Sequence, residues 1–331
     1  MDQTTSRELA LVIPVFEDWA SVVALLMAID QCPTLEQTKF HVILVNDGGG
    51  AFDRRSVEGL GCSRFRHIEI FDLVCNLGHQ RAIAVGLVGA ESACNVAGVV
   101  VMDGDGEDQP EDIPKLLQAS LERPGHIICA RRSKRSEPML FRFCYWAYKS
   151  AFWSLTGTRI GFGNFCYIPT PLLRAVVHSP STWNHLAASI LRSKIPVSNV
   201  DTIRGRRLVG ESKMNFMSLI LHGMSAISVY ADVALVRMVL AMLAISGIAL
   251  LGMLTVIAER FLTDLAIPGW ASNVFGSLAI ILLQSLVFAT IAAFMLLNAR
   301  STKPVIPAID AMQFVVSAKL ASDQISRFRQ V

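Results

Sequence analysis

The chain has 331 residues, a formal net charge of +3, 52% hydrophobic residues and only 17% charged ones. A mean hydropathy of +0.46 is too apolar for an ordinary cytosolic enzyme, and so small a positive charge argues against a nucleic-acid partner. The seven cysteines, Cys32, Cys62, Cys75, Cys94, Cys129, Cys144 and Cys166, form no CxxC pair, which argues against a zinc site and agrees with a reducing compartment.

Met1–Glu8 is polar and has no apolar run after a basic start, so no signal peptide is expected and the chain is read as beginning in the cytoplasm. Leu9–Phe16 (LALVIPVF) is the first expected strand, and Trp19–Asp30 has helical apolar spacing. A second strand, Phe40–Val45, runs into Asn46, Asp47 and three glycines. A third, Arg66–Phe71, precedes Asn76-Leu-Gly78-His-Gln80 and an Ala/Val/Gly-rich helix to about Ala93. Val96–Met102 is the fourth strand, Asp112–Leu121 a helix and His126–Ala130 the fifth strand. Strands alternating with helices predict an α/β fold with a mainly parallel, doubly wound sheet.

The C-terminal ends of the strands in such a sheet converge on one crevice, where ligands bind. Glu17 and Asp18 follow the first strand, Asp47 the second, Asn76 the third, and Asp103 and Asp105 the fourth. The fourth loop reads Asp103-Gly-Asp105-Gly-Glu107-Asp108-Gln109-Pro110-Glu111. Two carboxylates two positions apart at a strand end can chelate a divalent cation, although an Asp/Gly run also suits a plain solvated turn. An EF-hand fits poorly, because Asp108 stands where the sixth-position glycine belongs and Pro114 where the bidentate glutamate belongs. A dinucleotide-binding domain needs G-x-G-x-x-G after the first strand, but the turn reads Pro14-Val-Phe-Glu-Asp-Trp19; Walker A is absent too. A metal held by Asp103 and Asp105 is therefore the candidate for meeting phosphates.

Met139–Leu155 interleaves aromatics with Arg142 and Lys149, and Met214–Tyr230 is an apolar helix carrying His222. Both suit the headgroup layer of a membrane and equally suit packing on the sheet. Between them, Arg204-Gly-Arg206-Arg207-Leu-Val-Gly210-Glu-Ser212-Lys213 sets basic residues just before the apolar region. They are fitted to phosphate groups or to anionic lipid headgroups. His79 and His185 are candidate ligands, but a lone His beside an apolar helix more often has a structural role. Ala234–Ala258 holds one charged residue, Arg237, and Trp270–Leu297 none; each can cross a hydrocarbon core of roughly 30 Å. Arg300 and Lys303 flank the exit, whereas the connector carries Glu259, Arg260 and Asp264, which places both ends inside. Three parts are expected: residues 1–231 with interfacial helices, a hairpin at 232–298 (helices at about 234–258 and 271–297), and a cytoplasmic tail at 299–331. The tail contains an amphipathic run, Ala308–Phe328, suited to a membrane-surface helix or an oligomer contact.

With VIPVFED, VNDGG, NLGHQRA and DGDGEDQPED in this order, the chain resembles family 2 glycosyltransferases of the dolichol-phosphate mannose synthase and bacterial polyprenyl-phosphate glycosyltransferase type. The likeness runs from about Leu9 to Leu297. It implies a GT-A fold, a nucleotide-sugar donor (UDP ahead of GDP), Mg²⁺ or Mn²⁺, and inverting transfer of one sugar to a polyprenyl phosphate. It also implies a multi-pass protein of the inner (cytoplasmic) membrane with its catalytic domain and C-terminus in the cytoplasm, and a homo-oligomer is compatible with it.

Carried over by position, Pro14, Glu17, Asp47 and Asn76 line the nucleoside. Asp103 meets the ribose or the metal through water, and Asp105 binds the metal. Where relatives read D-x-D-x-Q-D-P-P-E, Glu107 adds a possible third ligand and Gln109 removes a proline. The basic run resembles the family's R-x-x-G-x-S-K signature, which gives Arg207 and Lys213 to phosphate binding. Asn164, in Gly161-Phe-Gly-Asn-Phe165, stands where many relatives carry Asp. It cannot act as a base, which suits a phosphate acceptor that is already largely ionised at neutral pH. Two rivals remain: transfer to a growing glycan or another lipid, although the Q-x-x-R-W motif of processive synthases is missing, and a non-catalytic nucleotide-sugar-binding assembly protein.

Overall fold

The structure, a computed structural model, describes residues 7–48, 57, 60, 62–92, 96–132, 139–210, 216–262 and 269–320. The chain forms two compact units: Met1–Arg142 with Ile160–Val229 and Pro304–Val331, and Phe143–Arg159 with Tyr230–Lys303.

The first unit is built on an eight-stranded sheet. Its strands are β1 (Arg7–Val15), β2 (Thr38–Asn46), β3 (Phe65–Leu73), β4 (Gly98–Val101), β5 (Ile127–Arg132), β6 (Cys166–Pro169), β7 (Val197–Thr202) and β8 (Val315–Leu320). Their order is β7-β5-β6-β4-β1-β2-β3-β8. Neighbours β4-β1-β2-β3 run parallel, as do β5 and β7, while β6 and β8 are antiparallel to their neighbours. The unbroken apolar run of β1 follows from its central place. Ala10 and Val12 enter one core, Leu9, Leu11 and Ile13 the other, and all are fully buried because side chains alternate across a sheet covered on both faces.

The helices that cover these faces carry the spacing that buries one stripe. In α1 (Trp19–Gln31) the buried positions are Ser21, Val22, Leu25, Leu26 and Ile29. On the opposite core, α2 (His79–Ser92) is buried from Ala82 to Ala90, and α3 (Ile113–Glu122) follows the acidic loop. The five expected strands and three expected helices are present with shifted ends. Strands β6, β7 and β8 are additional.

For the tail, the sequence leaves a membrane-surface helix and an oligomer contact both open. Within the run Ala308–Phe328, residues 315–320 form an edge strand rather than a surface helix. Asp72 pairs with Ser317 in the ladder, and Ser317 Oγ donates to Asp72 Oδ2 at 2.8 Å. Phe314 packs on Trp183 with ring centroids 5.3 Å apart, and its carbonyl accepts from Val74 N–H at 2.9 Å. Pairing covers an otherwise open edge of β3, which a helix would leave with unmet backbone groups.

In the second unit, α4 (Met139–Thr156, most of it in this unit) accompanies α8 (Ala231–Leu262) and α9 (Trp270–Ser301). The last two have 32 residues each, with mean hydropathies of 2.4 and 2.5, and are long and apolar enough to cross a membrane. Their buried seam is small and polar: Ser246 and Ser285 hydroxyls lie 2.7 Å apart, beside Ala249, Ala289 and Ala292. Large side chains such as Leu251, Leu283 and Phe294 point outward, which is opposite to the core helix of a soluble protein. Arg237, the one charge in the first apolar run, donates to Ser154 O at 2.8 Å and so caps α4. Helix α7 (Phe216–Ser228) belongs to the first unit; between β6 and β7 lie α5 (Thr170–Val177) and α6 (Leu186–Arg192).

Candidate active site

Parallel strands β1, β2, β3 and β4 deliver their C-terminal loops to one edge of the sheet, and an open cleft of about 200 Å³ lies there. Pro14, Val15, Phe16, Asp47, Asn76, Gly78 and His79 line it. Asp47 holds two of these loops together. Its N–H donates to Val15 O at 2.8 Å, and its carboxylate accepts from Leu77 N–H at 2.7 Å and Gly78 N–H at 3.0 Å. Burial raises the Asp47 pKa, against the two backbone donors that lower it. Asn76 turns the same loop by accepting from Gly78 N–H at 2.9 Å. Glu17 takes a left-handed backbone, with φ of 53°, and is exposed at the rim.

The acidic loop follows β4. Asp103 N–H donates to buried Asp108 Oδ2 at 3.2 Å, and Glu107 N–H donates to Asp105 Oδ1 at 3.0 Å, so the loop is shaped by its own carboxylates. Burial raises the Asp105 pKa, and the charges of Asp103 and Glu107 add to this against Glu107 N–H and Arg207. A carboxylate held in such a field is stabilised by a cation, so Asp103 and Asp105 fit a divalent metal. Among the described residues no three acidic, His or Cys side chains already surround one point. Two carboxylates with water and a ligand diphosphate make a suitable set for Mg²⁺ or Mn²⁺. Glu107 is turned elsewhere: both of its oxygens take the fork of Arg204, at 2.6 and 2.8 Å. Arg207 pairs with Asp18, and its Nη1 lies 3.9 Å from Asp105 Oδ2. Lys213 lies outside the described residues.

Asn164 enters from the loop before β6 through a chain of amides. Leu186 N–H donates to Gln80 Oε1 at 2.8 Å, Gln80 Nε2 donates to Asn164 Oδ1 at 3.0 Å, and Asn164 Nδ2 faces His79 Nε2 at 3.0 Å. The same imidazole nitrogen lies 3.2 Å from Asp103 Oδ1. Desolvation opposes the charged ring, but Asp103, with Asp47 and Asp105 beyond it, raises the His79 pKa above its ordinary value. A backbone donor thus sets the direction of both amides. One nitrogen cannot accept from Asn164 and donate to Asp103 at the same time.

The sequence placed Asp18 at the crevice without a role, marked His79 as an ordinary structural residue, and assigned no site role to Gln80 or Asp108. His79 and Gln80 sit on the first turn of a helix whose apolar run masks them. Asp108 looked like one more acid in an acidic run. The placement of Asp18 directly after β1 was a usable signal for it. His185 is the opposite case, a structural residue capping α6 by accepting from Ala188 N–H at 3.4 Å.

Residues 10–171 match the description Glycosyl transferase family 2. Undecaprenyl-phosphate 4-deoxy-4-formamido-L-arabinose transferase from Proteus mirabilis is 25% identical over 264 residues, spanning 77% of this chain and 78% of that protein. Dodecaprenyl-phosphate galacturonate synthase from Rhizobium johnstonii is 26% identical over 147 residues, 43% of this chain and 40% of that protein. Mannosyl-3-phosphoglycerate synthase from Rubrobacter xylanophilus superposes with a TM-score of 0.47 at 11% identity, covering 80% of this chain and 78% of that one. The mainly parallel sheet with its acidic loop after β4 agrees with the α/β fold expected from the sequence.

Proposed function

We propose that this glycosyltransferase, whose family 2 domain spans residues 10–171, moves one sugar from a nucleotide-sugar to a polyprenyl phosphate at a membrane surface. The observation that carries the reading is the meeting of opposite charges at one sheet edge. The acidic loop with Asp103 and Asp105 faces a basic segment whose Arg207 reaches Asp105 to within 3.9 Å. Anionic donor and anionic acceptor both need such a site. The names of the two relatives, each a prenyl-phosphate enzyme, supply the acceptor class. The two 32-residue apolar helices supply the anchor.

In this reading Pro14, Glu17, Asp47 and Asn76 form the nucleoside side of the cleft, and Asp103 and Asp105 hold a divalent cation. The cation neutralises the departing diphosphate when bound. Arg207, with Lys213, orients the acceptor phosphate. One acceptor oxygen attacks the anomeric carbon as the bond from that carbon to the nucleoside diphosphate breaks, which inverts the centre. No side chain needs to remove a proton, since the phosphate attacks already ionised. Asn164 therefore serves the site as a hydrogen-bonding amide.

The test is transfer of radiolabelled sugar from a panel of UDP- and GDP-sugars to undecaprenyl phosphate, with Mn²⁺, Mg²⁺ or chelator. Label extracted with the lipid, dependent on the cation and larger with UDP-sugars, is the expected result. Label found only in a lengthening glycan, or donor binding without any transfer, would overturn it.

A further inference from the structure

After β7 the chain runs as a strap across the acidic loop. Gly205 N–H donates to Glu107 O at 2.8 Å, Leu208 N–H donates to Asp105 O at 3.1 Å, and Ser21 Oγ donates to Val209 O at 3.0 Å. The approach depends on bare backbone: a Cβ on Gly106 would stand 2.4 Å from the Leu208 side chain, and one on Gly205 2.9 Å from Gly106 O. With the backbone so tied, the arginines of the strap differ in what they hold. Arg204 forks onto Glu107, away from Asp105. Arg207, its side chain 20% exposed, pairs with Asp18 and brings a second guanidinium nitrogen to 3.9 Å from Asp105 Oδ2. A monovalent cation thus stands beside the carboxylate that takes the divalent one in the function proposed above.

We propose that Arg207 is an exchange group, held by Asp18 as its positioning residue against Asp105 while the cleft carries no donor. The divalent cation of the donor displaces it, and it is thereby freed for the acceptor phosphate, so that donor precedes acceptor. The proposal rests on the metal and acceptor assignments above. Its physical ground is that a divalent cation taken by Asp105 and the guanidinium beside that carboxylate repel, while a guanidinium fork matches a phosphate better than it matches one distant carboxylate oxygen. Arg207 therefore has a reason to be near Asp105 before the metal arrives and a reason to leave once it has.

Two binding measurements on the full chain in detergent test this without turnover. In the first, Mn²⁺ alone is titrated and free Mn²⁺ is followed by electron paramagnetic resonance. Arg207→Gln tightens binding about tenfold, Arg207→Lys stays near wild type, and Asp105→Asn abolishes binding. Binding that Asp105→Asn abolishes but Arg207→Gln leaves unmoved or weakens overturns the exchange alone and leaves the metal assignment standing. No Mn²⁺ binding by any form overturns both. In the second, binding of farnesyl phosphate is compared with and without Mn²⁺ and UDP. The pair tightens it about tenfold in wild type. Asp18→Asn tightens the metal-free binding about threefold, and adding Arg207→Gln removes that gain. Equal binding with and without Mn²⁺ and UDP overturns the proposed order.

Discussion

Asp105 and Asp47 are both aspartates at strand ends, yet they do different work. Asp47 spends its carboxylate on Leu77 and Gly78 N–H groups, so it shapes the cleft and reaches a ligand through the loop it holds. Asp47→Ala leaves two backbone donors without that acceptor, which costs about 1–3 kcal/mol of stability and weakens nucleotide binding, readable by denaturation and by UDP titration. Gly48 shows the same crowding from the other side. At φ of 72°, an added Cβ would lie 2.4 Å from Asn76 N, so Gly48→Ala displaces the Asn76 loop and lowers UDP affinity at least tenfold by calorimetry. For Asp105 the raised pKa sets the sign of a pH effect. Protons and cation compete for the carboxylate, so Mn²⁺ affinity falls on acidification, and the fall begins at higher pH than an ordinary aspartate would allow. Titration of Mn²⁺ downward from neutrality checks this; an onset in the ordinary aspartate range would contradict the burial that raises it.

One element that bears on the site, β8, comes from the far end of the chain. It covers the open edge of β3, and the carbonyl of Phe314 ties to Val74 just before the Asn76 loop. Phe314→Ala removes the ring that packs on Trp183 and costs about 2 kcal/mol, measurable as a lower unfolding midpoint in detergent. A change confined to the unit of long apolar helices would not produce it. Sequence patterning identified the strands with unbroken apolar runs because both of their faces are buried. It missed β6, β7 and β8, which are short or lie at or near the edges of the sheet, where alternation is weak and pairing rather than composition decides the conformation. The run Ala308–Phe328 shows the consequence: its amphipathic spacing leaves a surface helix and an oligomer contact both open, and the edge of β3 makes residues 315–320 a strand.

Taken whole, the chain combines a sheet unit that gathers acids and arginines at one edge with a unit whose long helices turn large apolar side chains outward. In the second unit, specificity of the helix pair lies in the small seam. Ser246→Ala removes one hydroxyl of the 2.7 Å contact with Ser285 and costs roughly 0.6 kcal/mol, whereas Ser246→Leu wedges the helices apart. Cysteine crosslinking between the two helices separates these outcomes: retained yield in the first variant, lost yield in the second.

The sequence by itself determined whatever depends on order along the chain: the alternating α/β pattern, the polar residues at four strand ends, the two apolar runs and the basic stretch ahead of them. These are signals of local period and spacing, and Asp47, Asn76, Asp103 and Asp105 do gather at the sheet edge they were expected to share. What needed the fold was every partnership across long separation. Glu107 belongs to Arg204, Arg207 to Asp18, Asn164 to both His79 and Gln80, and the tail to β3. A side chain that carries a charge or an amide advertises its chemistry in sequence but not its partner. The partner is fixed only when packing brings distant segments within hydrogen-bond reach, and distance and direction then decide which of several acids meets which arginine.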